Sequence, residues 1–161
     1  MITMLILTEQ ALTPHDVARV AGLHAPDLVE AHVVVPTGTD QSTLDQIVDD
    51  LTRVDFDELS GELDQKEKSN AEKVRHAQQH VDRSIELLTA AGLTATGSLV
   101  PNHPVEATAD LARERDVDEV IVVTEPHLVT DVLRRDWATR LRHTVKRPVL
   151  HFIADTDQIV S

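Results

Sequence analysis

Short runs of apolar residues alternate along the chain with longer stretches in which apolar positions recur every three or four residues. The short runs predict β-strands at residues 2–7, 28–35, 93–100, 119–123 and 148–153. The periodic stretches predict helices between the strands, and the clearest of these helices runs from residue 66 to residue 91. Strands separated by helices pair in parallel through right-handed crossovers. The pattern therefore predicts an α/β fold in which helices cover both faces of one sheet.

Residues 40–64 differ from the other helical stretches in their charge. They contain nine acidic residues and a single basic residue, Arg53. Leu44, Ile47, Val48 and Leu51 nevertheless recur at helical spacing. This segment is predicted to be an acidic helical insertion within a single domain that spans residues 1–161.

Composition limits the class of protein. A chain of 161 residues with 41% apolar residues suits one domain with one core. No run of about 18 apolar residues predicts a membrane-spanning helix, and the first residues do not have the pattern of a signal peptide. The absence of cysteine and a net charge of −13 favour a cytoplasmic protein that binds neither nucleic acid nor anionic membranes.

The predicted sheet also indicates where a ligand would bind. In open parallel sheets, ligands bind beyond the carboxyl ends of the strands, at the point where the strand order reverses. The loops after the first and fourth strands would meet there, and they contain Thr8, Thr124 and His127. A histidine in such a loop can hydrogen-bond to a ligand near neutral pH. No Ser-His-Asp triad or pair of carboxylates accompanies it, so no catalytic residue is predicted.

The only basic cluster follows this loop. Arg134 and Arg135 begin it, and Arg140, Arg142, Lys146 and Arg147 continue it. Under one interpretation, Arg134 and Arg135 bind an anion with their guanidinium groups. Under the other, the cluster provides cations near a helix C-terminus that pair with the acidic segment 40–64.

Glu72, His76 and His80 are spaced four residues apart on the long predicted helix. Two histidines at this spacing can hold a metal ion, but such a site needs three or four ligands. The alternative is a solvated polar face opposite Val74, Ala77 and Val81. No metal and no cofactor are predicted.

Three segments of the chain resemble the universal stress protein family. Residues 31–36 (Ala-His-Val-Val-Val-Pro) resemble its second strand, and residues 147–150 (Arg-Pro-Val-Leu) resemble the start of its last strand. The most specific match runs from His103-Pro104-Val105-Glu106-Ala107 to the strand that ends at Val123. The resemblance implies a three-layer α/β/α sandwich with a five-stranded parallel sheet of order 3-2-1-4-5.

The chain departs from the family at the phosphate-binding loop. ATP-binding members carry Gly-x2-Gly-x9-Gly-Ser/Thr after the fourth strand, whereas this chain has no glycine after Gly97. The resemblance therefore implies a regulatory or binding module of the non-ATP-binding type that acts in stress adaptation and is not an enzyme. The alternative is a sensor that binds a small molecule, nucleotide or other anion at the loops after strands one and four.

The resemblance also implies an oligomeric state. Members of the family form homodimers by pairing their last strands across a two-fold axis, which predicts an interface that includes Val149, His151 and Ile153. Both alternating faces of this strand are apolar, which is unusual for an edge strand that faces water.

Overall fold

The computed structural model describes residues 1–51, 65–126 and 132–160, and within these ranges strands alternate with helices. The strands are β1 (Ile2–Thr8), β2 (Val29–Pro36), β3 (Thr94–Val100), β4 (Glu119–Thr124), β5 (Val149–Ile153) and β6 (Ile159–Val160). The helices are α1 (Pro14–Gly22), α2 (Gln41–Leu51), α3 (Gln65–Ala90), α4 (Val105–Glu114) and α5 (Val132–Thr144). The predicted elements are thus present, with boundaries that differ by a few residues. No helix in the described ranges is long and apolar enough to cross a membrane.

The strands form one sheet in the order β3-β2-β1-β4-β5-β6. The first five strands are parallel and have the predicted order, so the α/β/α architecture is confirmed. Beyond these five predicted strands, β6 adds a sixth strand antiparallel to β5. Its two residues are too few to show a strand pattern in the sequence. The strand order reverses between β1 and β4, the central pair of the sheet.

Two apolar layers hold the helices against the sheet. On one face, α1 and α3 pack on alternate residues of β1 and β2, among them Met4, Ile6 and Val33. On the other face, α4 and α5 pack on the intervening residues, among them Leu5, Leu7 and Val34. Met4, Leu5, Ile6 and Leu7 are all fully buried. Central strands covered on both faces are therefore apolar at every position, as the sequence pattern requires.

The acidic segment is helical where it is described. The helix α2 packs Leu44 and Ile47 against Ala71 and Val74 of α3, with the side chain of Leu99 beside them. The remaining residues of the predicted insertion, 52–64, lie outside the described residues.

The turn between β5 and β6 is fixed to α1. The side chain of Asp16 accepts a hydrogen bond from the backbone N–H of Asp155 at 2.8 Å. The guanidinium group of Arg19 lies 4.0 Å from the centre of the Phe152 ring and donates hydrogen bonds to carbonyl groups of the turn, residues 156–158. These contacts hold β6 beside β5, which was predicted to be the edge of the sheet.

The position of β6 bears on the predicted dimer interface, because β6 pairs with the outer edge of β5. Val149 and His151 are 7% and 2% exposed, and Ile153 is half-buried. Arg142 donates from Nε to the carbonyl of Val149 at 3.2 Å, so the outer edge of β5 already has partners within the chain. Dimerisation stays a prediction. A second copy of the chain whose backbone pairs with this edge of the sheet would contact β6 instead of β5.

Candidate functional site

A cleft opens at the carboxyl ends of β1, β2 and β3, on the side of the sheet where α3 lies. Two adjoining cavities of about 400 Å³ and 380 Å³ make up this cleft. Glu9, Pro36, Thr37 and Lys73 line both of them. The first cavity extends along α3, and the second extends toward α5. Each volume lies within the range of pockets that hold small molecules.

The floor of the cleft is built by the loops after β2 and β3. The backbone N–H of Thr37 donates to the carbonyl of Val100 at 2.9 Å, and that of Asn102 donates to the carbonyl of Thr39 at 2.8 Å. The hydroxyl groups of Thr37 and Thr39 are 2.7 Å apart. Gly38, between these two threonines, has φ +78°, a conformation that residues with a side chain rarely adopt. The bonds join the two loops into one surface.

Glu9 occupies the point where the strand order reverses. It follows β1, and its Oε2 accepts a hydrogen bond from the backbone N–H of Glu125, which follows β4, at 2.9 Å. The side chain of Glu9 is half-buried and lines both cavities. A carboxylate is therefore fixed where an anion-binding loop would need free N–H groups.

The helix α3 forms the wall of the first cavity with Ser69, Glu72, Lys73, His76, Ala77 and His80. His80 is half-buried, whereas His76, one turn earlier, is exposed. Burial lowers the pKa of His80, and the charge of the neighbouring His76 lowers it further. At neutral pH the wall therefore presents the ammonium group of Lys73 and the neutral imidazole of His80, which can donate or accept hydrogen bonds.

The second cavity is lined by residues from three different elements. Asn102, His103 and Pro104 contribute from the loop between β3 and α4, and Trp137 contributes from α5. His103 has φ +54°. The half-buried ring of Trp137 offers an apolar surface beside the polar loops.

Thr8 and Thr124, which were predicted as ligand-binding residues, lie at the carboxyl ends of β1 and β4 as expected. They are only 3% and 4% exposed. The hydroxyl of Thr8 donates to the carbonyl of Gln10 at 2.8 Å, and the hydroxyl of Thr124 is 2.8 Å from Nε2 of His151. Both hydroxyl groups thus have partners inside the protein. Neither threonine is among the residues that line the two described cavities.

The other predicted ligand-binding side chains lie outside the described part of the structure. His127 lies outside the described residues. The backbone of Arg134 and Arg135 belongs to α5, but their side chains lie outside the description. Their roles in anion binding remain predictions.

The alternative of a metal site on α3 gains no support. Among the described residues, no group of three or more His, Asp or Glu side chains has a geometry that could hold a metal ion. Glu72, His76 and His80 instead share the wall of the cleft.

Most residues that line the cleft were not among the predicted ligand-binding residues. Lys73, Thr37, Asn102 and Trp137 come from four separate segments, and their proximity follows only from the fold. The spacing of Glu72, His76 and His80 was an available signal, because it places three polar side chains on one face of α3.

The comparisons with known proteins bear on the fold. No protein-family model matches the chain, and no curated protein matches its sequence. Similar solved structures include the universal stress protein from Archaeoglobus fulgidus in complex with dAMP, with TM-score 0.53 and 12% identity over 96% of this chain and 98% of that one.

A second structure of the Archaeoglobus fulgidus universal stress protein has TM-score 0.55 and 13% identity over 96% of this chain and 94% of that one. The hypothetical protein MJ0577 has TM-score 0.60 and 14% identity over 96% and 97% of the two chains. The TM-scores and coverages establish a common architecture, and identities this low leave ligands and activity open. With its strand order and these neighbours, the chain has the fold of the universal stress proteins.

Proposed function

We propose that the chain is a non-catalytic binding module of the universal stress protein type that holds a small polar ligand of low net charge in the cleft. The observation that supports this proposal is the mixed charge of the lining. Lys73 is accompanied by the carboxylates of Glu9 and Glu72. A triphosphate would meet more negative than positive charge there.

The geometry of Glu9 also opposes phosphate binding. Loops that hold phosphates do so with backbone N–H groups that glycine leaves accessible. Here the N–H that follows β4, that of Glu125, donates to the carboxylate of Glu9 at 2.9 Å. The chain contains no glycine after Gly97. Binding of ATP would therefore require the removal of a half-buried carboxylate contact without a glycine loop to replace it.

The ligand class follows from the groups that the cleft offers. Asn102 and His80 can donate or accept hydrogen bonds, and Trp137 and Pro36 provide apolar surface. This combination suits a flat, polar molecule of the size of a nucleoside. Adenosine is therefore the first probe.

A second candidate is a sensor of a mononucleotide or a similar anion. Lys73 lies at the junction of both cavities, where its ammonium group could contact one phosphate. One of the similar structures is a complex with dAMP. Under this reading a single anionic group is tolerated, while a triphosphate is not.

Calorimetric titration with adenosine and with dAMP separates these candidates. Lys73→Gln removes the cation of the cleft, and Lys66→Gln is the matched control on an exposed position of the same helix. The first candidate predicts that adenosine binds and that neither substitution changes its affinity by more than about twofold. The second predicts that dAMP binds more tightly than adenosine and loses at least about tenfold in affinity in Lys73→Gln. Failure of both probes to bind at millimolar concentration would contradict the proposed ligand class.

A further inference from the structure

The strand β3 forms the edge of the sheet opposite β6. In the described part of the chain it pairs with β2 alone, along Thr94–Val100. Alternate residues of such a strand direct their N–H and C=O groups away from the sheet. Its seven residues include no proline and no charged residue, the features with which proteins usually block an edge. The edge is therefore suited to accept another strand.

A groove lies between this edge and the helix α2. It has a volume of about 620 Å³ and is lined by Gly97, Ser98 and Leu99 of β3 and by one face of α2. Leu44 and Leu99 contribute apolar surface, and Val48 is 41% exposed beside them. The position of a Cβ at Gly97 is filled by Val81 of α3, whereas the outer edge of β3 has no strand partner among the described residues. The groove thus combines an open strand edge with an apolar lining.

The charge of the groove determines which partner fits. The helix α2 contains three aspartates and no basic residue. Asp45 and Asp49 line the groove, and Asp45 is exposed. A second copy of the chain, paired edge to edge, would bring the same acidic helix close to its symmetry mate. Like charges on both sides would oppose that pairing, whereas a basic segment would be attracted.

We propose that this groove binds an extended basic segment of another protein, which adds to the sheet as a strand beside β3. Its backbone would pair with the outward N–H and C=O groups of β3. Side chains on one face would lie under α2, with an apolar residue against Val48 and Leu99 and a lysine or arginine near Asp45. Because backbone groups form the hydrogen bonds between the two strands, the partner segment needs only a sequence in which apolar and basic residues alternate. The inference is independent of the ligand in the cleft.

The test uses two labelled eight-residue peptides and fluorescence anisotropy of the full chain. In the first, lysine alternates with valine or threonine, and in the second, glutamate replaces every lysine. The lysine peptide is expected to bind with a Kd below about 1 mM, and the glutamate peptide at least about tenfold more weakly. Hydrogen exchange of backbone amides should slow within residues 94–100 when the lysine peptide is bound.

Two variants locate the binding site. Asp45→Lys should lower the affinity for the lysine peptide about tenfold, and Asp45→Asn should give an intermediate loss. Glu114→Lys is the matched control, because Glu114 is an exposed residue of α4 on the opposite face of the sheet. It should change the affinity by less than about twofold. Circular dichroism of each variant checks that the fold is retained.

Several results would overturn the proposal. One such result is that the lysine peptide does not bind at millimolar concentration or binds with the same affinity as the glutamate peptide. Another is that Asp45→Lys and Glu114→Lys change the affinity for the lysine peptide equally. Slowed exchange at β6 without any change in residues 94–100 would place the peptide at the wrong edge. Self-association that requires the β3 edge would show that a second copy occupies the groove.

Discussion

His32 provides a quantitative test of the packing between the sheet and α4. It lies on β2 and is 2% exposed. Its Nδ1 and Nε2 are each 2.7 Å from a hydroxyl oxygen, that of Thr96 and that of Ser98 respectively. Burial and, to a smaller extent, the charge of Arg115 lower the pKa of His32 to about 4. Since both hydroxyl groups can accept as well as donate, the hydrogen bonds alone do not oppose protonation.

The pKa fixes how stability should depend on pH. In the unfolded chain the pKa of His32 is close to 6.5, so protons bind preferentially to the unfolded state below that pH. The stabilisation from a neutral His32 is complete above pH 6.5 and is lost as the pH falls toward 4. At pH 4.5, protonation favours the unfolded chain about eighty-fold, which corresponds to about 2.5 kcal/mol.

Urea denaturation at several pH values between 8 and 4.5 measures this effect when the chain is compared with His32→Gln. The substitution should cost about 1 kcal/mol at pH 8, because one hydrogen bond is lost. It should also remove about 2.5 kcal/mol of the acid-induced loss of stability. His143→Gln, which removes a histidine from an exposed position, is the matched control.

An identical pH dependence of stability in His32→Gln and in the unaltered chain would contradict a lowered pKa of His32. In that case His32 would titrate in the folded protein with a pKa near 6.5. The ring would then be accessible to water, and the contact between β2 and α4 would be looser than described.

Three further predictions concern packing, capping and assembly. Gly97→Ala should lower the free energy of unfolding by about 1–3 kcal/mol in urea titrations, because the added Cβ would lie 2.3 Å from Cγ1 of Val81. Asp16→Ala should cost about 1–3 kcal/mol in the same assay, because it removes the capping box of α1 and the acceptor for the N–H of Asp155. If the predicted homodimer forms through β6, light scattering should show a dimer that Ile159→Lys converts to a monomer, because Ile159 is 59% exposed at that edge. A monomer at all concentrations of the unaltered chain would contradict the dimer.

The strands and their order could be predicted because their physical causes are local. β4 reads Glu-Val-Ile-Val-Val-Thr, and a run of this kind requires burial on both faces. β6 could not be predicted in this way. Its pairing depends on Arg19 and Asp16, which are more than 130 residues away and hold the preceding turn in place.

The candidate site was predictable in location only. Thr8 and Thr124 do lie at the carboxyl ends of central strands, but their hydroxyl groups are bonded within the protein. The side chains that line the cleft come from α3 and from the loops after β2 and β3. A helical pattern identifies the face of the helix that packs on the sheet. It does not indicate which polar residues of the helix lie above the carboxyl end of a strand.

Calorimetric titration of the chain with ATP and Mg²⁺ tests whether the cleft excludes a triphosphate. We expect no saturable heat of binding up to about 1 mM ATP, equivalent to a binding free energy weaker than about −4 kcal/mol. Saturable binding in the micromolar range would contradict this expectation. That result would show that the carboxylate of Glu9 leaves the N–H of Glu125 and that side chains replace the glycine loop.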